Sequence, residues 1–241
     1  MHPHRFARWR RLGRELIDAS LDLTLPRACP ACGGAERDLC SVCRAALQRR
    51  PAPGCARCGD AAGPSGRCGA SHARLRGLRQ LVAPMQFAGA GGGLVRRFKL
   101  AGDVAAGKWL AREMADHWRV AGRATRPTLV PVPLHRRRLR QRGFDQARWL
   151  ALALGRRLRL PVAPRALARA RATLPQGHVR VRSRAQNVRG AFVVRRPELV
   201  RGRQVLLIDD VFTTGATARA CAEQLQAAGA TAVSLLVACR S

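Results

Sequence analysis

The fold is decided by one stretch of the sequence, Val205-Leu206-Leu207-Ile208-Asp209-Asp210-Val211-Phe212-Thr213-Thr214-Gly215-Ala216-Thr217. Four apolar residues predict a buried strand, two acids are expected to end it, and a turn of small residues is expected to open a helix. At the carboxyl end of a strand in an open α/β sheet, backbone N–H groups and the helix dipole converge on an anion. The stretch therefore predicts a phosphate-binding turn.

Each residue type in this turn suits a sugar phosphate. Gly215 lets the backbone approach the ligand closely, and threonine hydroxyls add hydrogen-bond donors without bulk. The five residues expected to cradle the phosphate are Thr213, Thr214, Gly215, Ala216 and Thr217. Asp209 and Asp210 are expected to accept hydrogen bonds from the sugar hydroxyls. The alternative is an acid pair that complements a helix dipole beside an ordinary turn, which leaves the order of these features unexplained.

The chain from Leu81 onward alternates apolar runs with helical stretches. This pattern is typical of a largely parallel sheet covered by helices, and it predicts an α/β domain. Strands are predicted over 81–87, 128–133, 191–194, 203–209 and 231–238, and helices over 104–120, 144–159 and 216–228. Residues 164–190 are rich in arginine and lack periodicity, so they are predicted to form a mobile basic loop.

Seven of the nine cysteines fall between residues 26 and 73, six of them in three CxxC pairs and the seventh at Cys68. Two thiolates on one tight knuckle span an edge of the tetrahedron that zinc prefers, so we expect one or two structural zinc ions. The candidate ligands are Cys29, Cys32, Cys40, Cys43, Cys55, Cys58, Cys68 and His72. Ser71 stands where a fourth cysteine of the second set would fall, and His72 follows it. Spacing alone leaves open whether consecutive knuckles pair or alternate ones do.

Three segments are predicted along the chain. Residues 1–25 contain an amphipathic helix at 10–24, residues 26–77 form the zinc-binding module, and residues 78–241 form the α/β domain. The N-terminal segment lacks the run of about 7 to 15 apolar residues that a signal peptide needs. No stretch approaches the roughly 20 apolar residues of a membrane span. We therefore expect a cytoplasmic protein with reduced thiols.

The chain is strongly basic, with 45 lysines and arginines against 14 acids and a formal net charge of +31. All of the basic residues except Lys99 and Lys108 are arginine. A surface of this charge attracts polyanions, nucleic acid first, by releasing counterions from phosphates. An arginine bias with abundant alanine and glycine also fits a genome rich in G and C. The sequence leaves these two explanations open.

Residues 205–217 match the thirteen-residue signature of type I phosphoribosyltransferases. Further motifs lie at Val130-Pro131-Val132-Pro133-Leu134-His135, Arg142-Gly143-Phe144-Asp145-Gln146-Ala147, Gln176, Arg184 and Asn187-Val188-Arg189-Gly190-Ala191-Phe192. Together with the cysteine knuckles, they resemble the ComF family. The resemblance implies a type I phosphoribosyltransferase-like sheet, mostly parallel with helices on both faces, preceded by a zinc ribbon. Ser71, and Asp145 in place of a usual asparagine, depart from the family pattern.

The resemblance also implies the ligand and the residues that hold it. Phosphoribosyl pyrophosphate, or a related ribose phosphate, would bind with Mg2+. Asp209 and Asp210 would hold the ribose hydroxyls, and residues 213–217 the 5′-phosphate. His135 and Arg136, in the loop after the second predicted strand, would face the pyrophosphate.

Two functions follow from the resemblance. The family is associated with natural transformation, which favours a protein of DNA uptake that binds single-stranded DNA and the uptake machinery. The candidate DNA contacts are Arg142, Arg180, Arg182, Arg184 and Arg189. The alternative is an active transferase that moves a phosphoribosyl group onto a base. No base pocket is evident in the sequence, although residues 85–103, with Phe87, Phe98, Lys99 and Asp103, are a candidate hood if they do not simply pack.

Overall fold

A parallel sheet forms the centre of the computed structural model, which describes residues 28–36, 38–50, 54–61, 68, 70–121, 126–170 and 190–241. The predicted helix at 10–24, within the segment 1–25, lies outside the described residues. Strand β7 pairs with β6 on one side and with β1 and β2 on the other, and β3 pairs with β6. The strands of this sheet are β1 Leu81–Val82, β2 Met85–Gln86, β3 Thr128–Pro131, β6 Gln204–Phe212 and β7 Ala232–Arg240. A separate antiparallel pair consists of β4 Leu167–Arg169 and β5 Phe192–Val194.

Helices connect these strands. They are α1 Ser41–Ala45, α2 Gly89–Ala101, α3 Val104–Val120, α4 Arg136–Arg142, α5 Gln146–Leu158 and α6 Ala216–Ala227, with 3-10 turns at Ala70–Leu75 and Pro197–Leu199. None of the described helices combines the length and apolar character needed to cross a membrane.

Alternate residues of β6 are buried in two different cores. Leu206 and Ile208 pack in the core that includes α2, α3 and α5. Val205 and Leu207 pack in the core that includes α6 and the β4–β5 pair. Because side chains alternate across a strand, this pattern requires helices on both faces of the sheet. The predicted fold class is confirmed.

The cysteine module covers one edge of the sheet. The amide of Arg50 donates to the Pro84 carbonyl at 2.8 Å, and the amide of Gln86 donates to the Gln48 carbonyl at 2.9 Å. Cys29 packs in the core that contains α3, and Cys58 packs in the core that contains α6. The module therefore straddles an edge that would otherwise expose unpaired backbone groups. A division at residues 26–77 and 78–241 stays a prediction.

Two strand predictions differ from the structure. The acids do not end β6, which runs on to Phe212 because Asp209 pairs with Val237 and Phe212 pairs with Arg240 on β7. The predicted strand 81–87 divides into β1 and β2, and Pro84, which lies between them, has no amide to donate.

The helix and loop predictions also need correction. Helix α2 is not predicted from the sequence, because its Gly-Ala-Gly-Gly-Gly start has low helix propensity. Packing overrides that propensity, since a Cβ on Gly91 would lie 2.7 Å from the Gln86 carbonyl oxygen. Helix α4 was missed as well. The predicted loop 164–190 contains β4, and residues 171–189 lie outside the described part of the chain.

We expect Gly107→Ala to lower the free energy of unfolding by about 1–3 kcal/mol, because overpacking a core displaces its side chains. An added Cβ would lie 2.6 Å from the Phe98 ring and 3.0 Å from the Trp149 ring. Gly92→Ala on α2 is the control, since its Cβ would meet only the flexible Arg96 guanidinium, at 3.2 Å. Urea unfolding of both variants measures the difference. Equal stability of the two would contradict the packing described.

Candidate functional site

Two adjacent carboxylates lie near the end of β6. Asp210 is buried, with 6% of its surface exposed, and Asp209 is partly buried. The Asp210 amide donates to Asp209 Oδ1 at 2.9 Å. Lys99 Nζ of α2 lies 2.8 Å from Asp210 Oδ2. The two signature acids are thus held by one backbone donor and one cation.

Burial and the charge of Asp210 raise the pKa of Asp209 to about 7, against the opposing effects of Lys99 and the Asp210 amide. Asp145 contributes to the same rise. A carboxyl group with this pKa exchanges its proton near neutral pH. Asp209 is therefore able both to donate and to accept hydrogen bonds in the physiological range.

The turn after β6 leaves a set of backbone donors available. Gly215 is the N-cap of α6, with φ 76°, and no side chain caps the helix. Between described residues, no hydrogen bond is made by the amides of Thr213 to Ala218. Free amides at a helix N-terminus favour an anion. Residues 213–217 therefore have the local geometry of a phosphate cradle.

Glycine is required at position 215 for two reasons. Its backbone is left-handed, and an added Cβ would lie 2.5 Å from the Arg74 carbonyl oxygen and 3.0 Å from the Phe212 ring. Arg74 belongs to the 3-10 turn Ala70–Leu75, at the end of the cysteine module. The cysteine module thus forms the wall behind the turn.

The structure places two cations, Arg169 and Lys99, close to the signature acids. Burial, followed by the charge of Arg138, lowers the pKa of Arg169 on β4, whereas Asp209 acts to raise it. The Arg169 guanidinium lies 5.4 Å from the centre of the Phe192 ring. Arg169 was missed because its segment was predicted to be a loop. Lys99 was assigned only to the candidate hood, and its pairing with Asp210 has no local signal in the sequence.

The predicted pyrophosphate residues lie at the start of α4. His135 is the N-cap, and its Nδ1 accepts a hydrogen bond from the Arg137 amide at 3.2 Å. Arg136 is exposed. Their contact with pyrophosphate stays a prediction.

Of the predicted DNA contacts, the structure describes one. Arg142 is partly buried and donates to Gln146 Oε1 at 3.4 Å. The other four, Arg180, Arg182, Arg184 and Arg189, lie outside the described residues.

Asp145, the departure from the family pattern, caps α5. Its Oδ1 accepts a hydrogen bond from the Arg148 amide at 3.0 Å. Burial raises the pKa of this carboxyl group, although the Arg148 amide opposes the rise. Asparagine offers the same acceptor without a charge, so the cap explains why either residue fits here.

The first four cysteines form one cluster. The sulfur atoms of Cys29, Cys32, Cys40 and Cys43 all lie within 4.8 Å of one another. Cys32 and Cys40 are 3.8 Å apart, which matches the edge of about 3.8 Å expected for four sulfurs at about 2.3 Å from zinc. Burial raises the pKa of the Cys29 thiol, but the amides of Cys40, Cys32 and Ala31 outweigh it and lower the pKa to about 6. These ligands fit a structural zinc ion.

The second cluster contains three cysteines and a histidine. Ligand atoms of Cys55, Cys58, Cys68 and His72 all lie within 4.8 Å of one another. His72 Nε2 lies 3.6 Å from Cys55 Sγ and 2.8 Å from Cys68 Sγ, so the ligand atoms converge on one point, as a single metal ion requires. Consecutive knuckles therefore pair, and the alternative pairing is wrong. His72 belongs to this cluster.

The fold and these two sites define a phosphoribosyltransferase-type α/β domain joined to a structural zinc module. Comparison with known families agrees with this class. Residues 20–72 match the double zinc ribbon domain, and residues 148–241 match the phosphoribosyl transferase domain.

Whole-chain relatives give the family. The DNA utilization protein YhgH of Salmonella typhi is 32% identical over 228 residues, covering 91% of this chain and 99% of the relative. The protein of the same name from Escherichia coli K12 is 32% identical over 231 residues, with the same coverage. Competence protein F of Haemophilus influenzae is 29% identical over 212 residues, covering 81% of this chain and 87% of the relative. These relatives are similar to this chain over most or nearly all of their length. This chain therefore belongs to the ComF family.

We expect His72→Ala to lower the zinc content from about two ions per chain to about one, because a site with three thiolates and no fourth protein ligand is incomplete. His72→Cys should retain both ions, since it restores a thiolate. His117→Ala, on α3 and outside both clusters, is the control. Zinc is measured by mass spectrometry of the native protein. Full zinc content in His72→Ala would show that His72 is not a ligand.

We expect Asp209→Asn to raise the free energy of unfolding by about 1–3 kcal/mol at pH 8, but not near pH 4. The folded pKa of about 7 lies above the ordinary value, so the folded state holds the proton more tightly. Wild-type stability is therefore lost as pH rises from about 4 to 7, and asparagine removes that loss. Urea unfolding across this range measures the effect. Asp116→Asn, at a carboxylate that is 57% exposed, is the control and should show no such rise.

Proposed function

We propose that this protein binds phosphoribosyl pyrophosphate, or a closely related ribose phosphate, together with single-stranded DNA, and that it serves in DNA uptake or use. The observation that carries the proposal is the combination at the end of β6. Two carboxylates, one glycine turn and a set of amides without partners among the described residues lie within a few residues of each other. This set provides acceptors for sugar hydroxyls and donors for a phosphate.

The ribose would bind at the two acids, and its 5′-phosphate at the turn that follows them in the chain. Asp209 and Asp210 would accept hydrogen bonds from the ribose hydroxyls. The amides of residues 213–217 and the hydroxyls of Thr213, Thr214 and Thr217 would donate to the 5′-phosphate. The position of Gly215 against the Arg74 carbonyl oxygen supports this assignment, because a larger residue would displace the turn.

Mg2+ would enter with the diphosphate of the ligand. This ion keeps several waters and takes phosphate oxygens with one or two carboxylates, so it needs no cage of protein ligands. The carboxylates of Asp209 and Asp210 provide suitable oxygens. His135 and Arg136, at the start of α4, are the proposed pyrophosphate contacts. They follow β3, and β3 pairs with β6, the strand that carries the two acids, which supports this role.

Single-stranded DNA would bind mainly through phosphate contacts. Helix α4 carries five arginines in seven residues. Arg136, Arg137 and Arg140 are exposed, and within the described residues none of them pairs with an acid. No described aromatic side chain is exposed to stack on bases. Binding would therefore be electrostatic, tolerant of sequence and sensitive to salt.

The relatives support the DNA part of the proposal. They are named for DNA utilization and for competence. We extend those roles to this chain, with the DNA-uptake machinery as its partner. The zinc thiolates need a reducing compartment, for which we propose the cytoplasm.

We expect Asp209→Ala combined with Asp210→Ala to weaken binding of phosphoribosyl pyrophosphate by at least about 100-fold and to change affinity for single-stranded DNA by less than about 2-fold. The acids contact the sugar, whereas DNA affinity comes from arginines spread over the surface. Arg137→Gln combined with Arg140→Gln should instead weaken binding of single-stranded DNA and leave the affinity for phosphoribosyl pyrophosphate nearly unchanged. It should also reduce the slope of log DNA affinity against log salt concentration by about 1.4. Calorimetry with Mg2+ and fluorescence anisotropy with an oligonucleotide measure the two affinities.

Asp116→Ala, at an exposed acid of α3, is the control for both ligands. Equal loss of both ligands in the double aspartate variant, with the fold intact by urea unfolding, would contradict two separable sites. Release of pyrophosphate on addition of a base would instead identify an active transferase.

A further inference from the structure

The corner between α2 and α3 holds Lys99 in a fixed place. Gly102 ends α2 in a left-handed conformation, with φ 67°. Asp103 accepts hydrogen bonds from Arg97 at 2.7 and 2.9 Å, and it caps α3 through the Ala106 amide. Several independent contacts therefore fix the backbone on the C-terminal side of Lys99.

Phe98, the residue before Lys99, anchors the corner in the core. Phe98 is 1% exposed, and its ring packs edge-on against Phe144 and Trp149, with centroids 5.5 and 5.2 Å away. The Lys99 carbonyl also accepts a hydrogen bond from Gln146 Nε2 at 3.4 Å. The predicted hood residues thus divide into two groups, because Phe98 and Asp103 pack while Lys99 reaches the ligand site.

The ion pair with Asp210 leaves hydrogen-bond donors of Lys99 available. Its ammonium carries three donors, and the described contact to Asp210 Oδ2 accounts for one. Among the residues that the structure describes, the second oxygen of Asp210 has no side-chain partner, so it is available to a hydroxyl group. The lysine side chain remains 31% exposed. A ligand that places a hydroxyl on Asp210 would bring its neighbouring groups within reach of the same ammonium.

The charges around Asp210 explain why a cation is needed there. Burial and the charge of Asp210 raise the pKa of Asp209, and Asp145 adds to the rise, so three carboxyl groups act on one place. A sugar that carries a diphosphate adds several negative charges to this group. Without a local cation the acids would repel the ligand that their hydroxyl-binding geometry selects.

From this geometry we propose that Lys99 is a binding residue that selects ribose phosphates carrying a diphosphate on C1. One N–H of the ammonium stays on Asp210, and another donates to a diphosphate oxygen. The role rests on the proposed function, and it adds a specificity determinant on α2, far in sequence from the signature. Lys99 would favour the diphosphate ligand over ribose 5-phosphate, which has the same hydroxyls and 5′-phosphate but lacks the diphosphate.

The test compares two ligands with two lysine variants. Lys99→Met should weaken binding of phosphoribosyl pyrophosphate by about 10- to 100-fold, the usual effect of one charge-assisted hydrogen bond. It should weaken binding of ribose 5-phosphate by less than about 3-fold. Lys108→Met, at the exposed lysine of α3, should leave both affinities unchanged. Calorimetry with Mg2+ measures the diphosphate ligand, and competition measures ribose 5-phosphate.

A second measurement uses the wild-type protein and needs no variant to fold. The chain has two lysines, so reductive methylation followed by mass spectrometry reports on Lys99 and Lys108 separately. Phosphoribosyl pyrophosphate should protect Lys99 and leave Lys108 reactive, and ribose 5-phosphate should protect Lys99 less.

The outcomes separate this inference from the proposed function. An equal loss of both ligands in Lys99→Met, or methylation of Lys99 that the diphosphate ligand does not slow, would overturn the role of Lys99 alone. A folded wild-type protein that binds neither ligand would overturn the proposed function and the role of Lys99 with it.

Discussion

The structure depends on two adjacent carboxylates, Asp210 buried and Asp209 partly buried, near the end of β6, a strand whose apolar part is completely enclosed. Leu206, Leu207 and Ile208 are 0% exposed, and Asp210 follows them at 6%. A buried charge is costly unless it is paired or protonated. Lys99 pairs with Asp210, and Asp209 meets the same constraint through a pKa raised to about 7. The α2–α3 corner is therefore part of the site, because it carries the cation that the strand requires.

The zinc module is tied to the same place by a backbone contact. His72 belongs to the second metal cluster, and Arg74, two residues later, presents its carbonyl oxygen to Gly215. Arg240, from the end of β7, also donates to the Cys58 carbonyl at 3.2 Å and to Asp60 at 2.9 Å. A structural metal that orders these knuckles therefore also orders the wall behind the turn at residues 213–217. This arrangement gives the zinc ribbon a purpose that does not require the metal to touch a ligand.

The local parts of the site could be predicted from the sequence, and the parts that depend on distant contacts could not. The signature at 205–217 and the CxxC knuckles are local patterns, and the structure brings each set together. The length of β6 depends on its pairing with β7, and the identity of the cation on Asp210 depends on a contact between residues 99 and 210. Helix α2 forms despite the low helix propensity of its glycines, because Gly91 packs closely against the Gln86 carbonyl and leaves no room for a side chain. Such choices become visible only when the neighbours are known.

The basic residues of the described chain include one dense group, on helix α4. Several arginines form ion pairs with acids: Arg97 pairs with Asp103, and Arg50 and Arg240 both pair with Asp60. The sequence has 14 acids for 45 lysines and arginines. Helix α4 concentrates five of the arginines directly after the strand beside β6. In the proposed function, where Asp209 and Asp210 accept the ribose hydroxyls, this concentration suits a ligand that offers phosphates and sugars together, as both nucleic acid and a ribose diphosphate do.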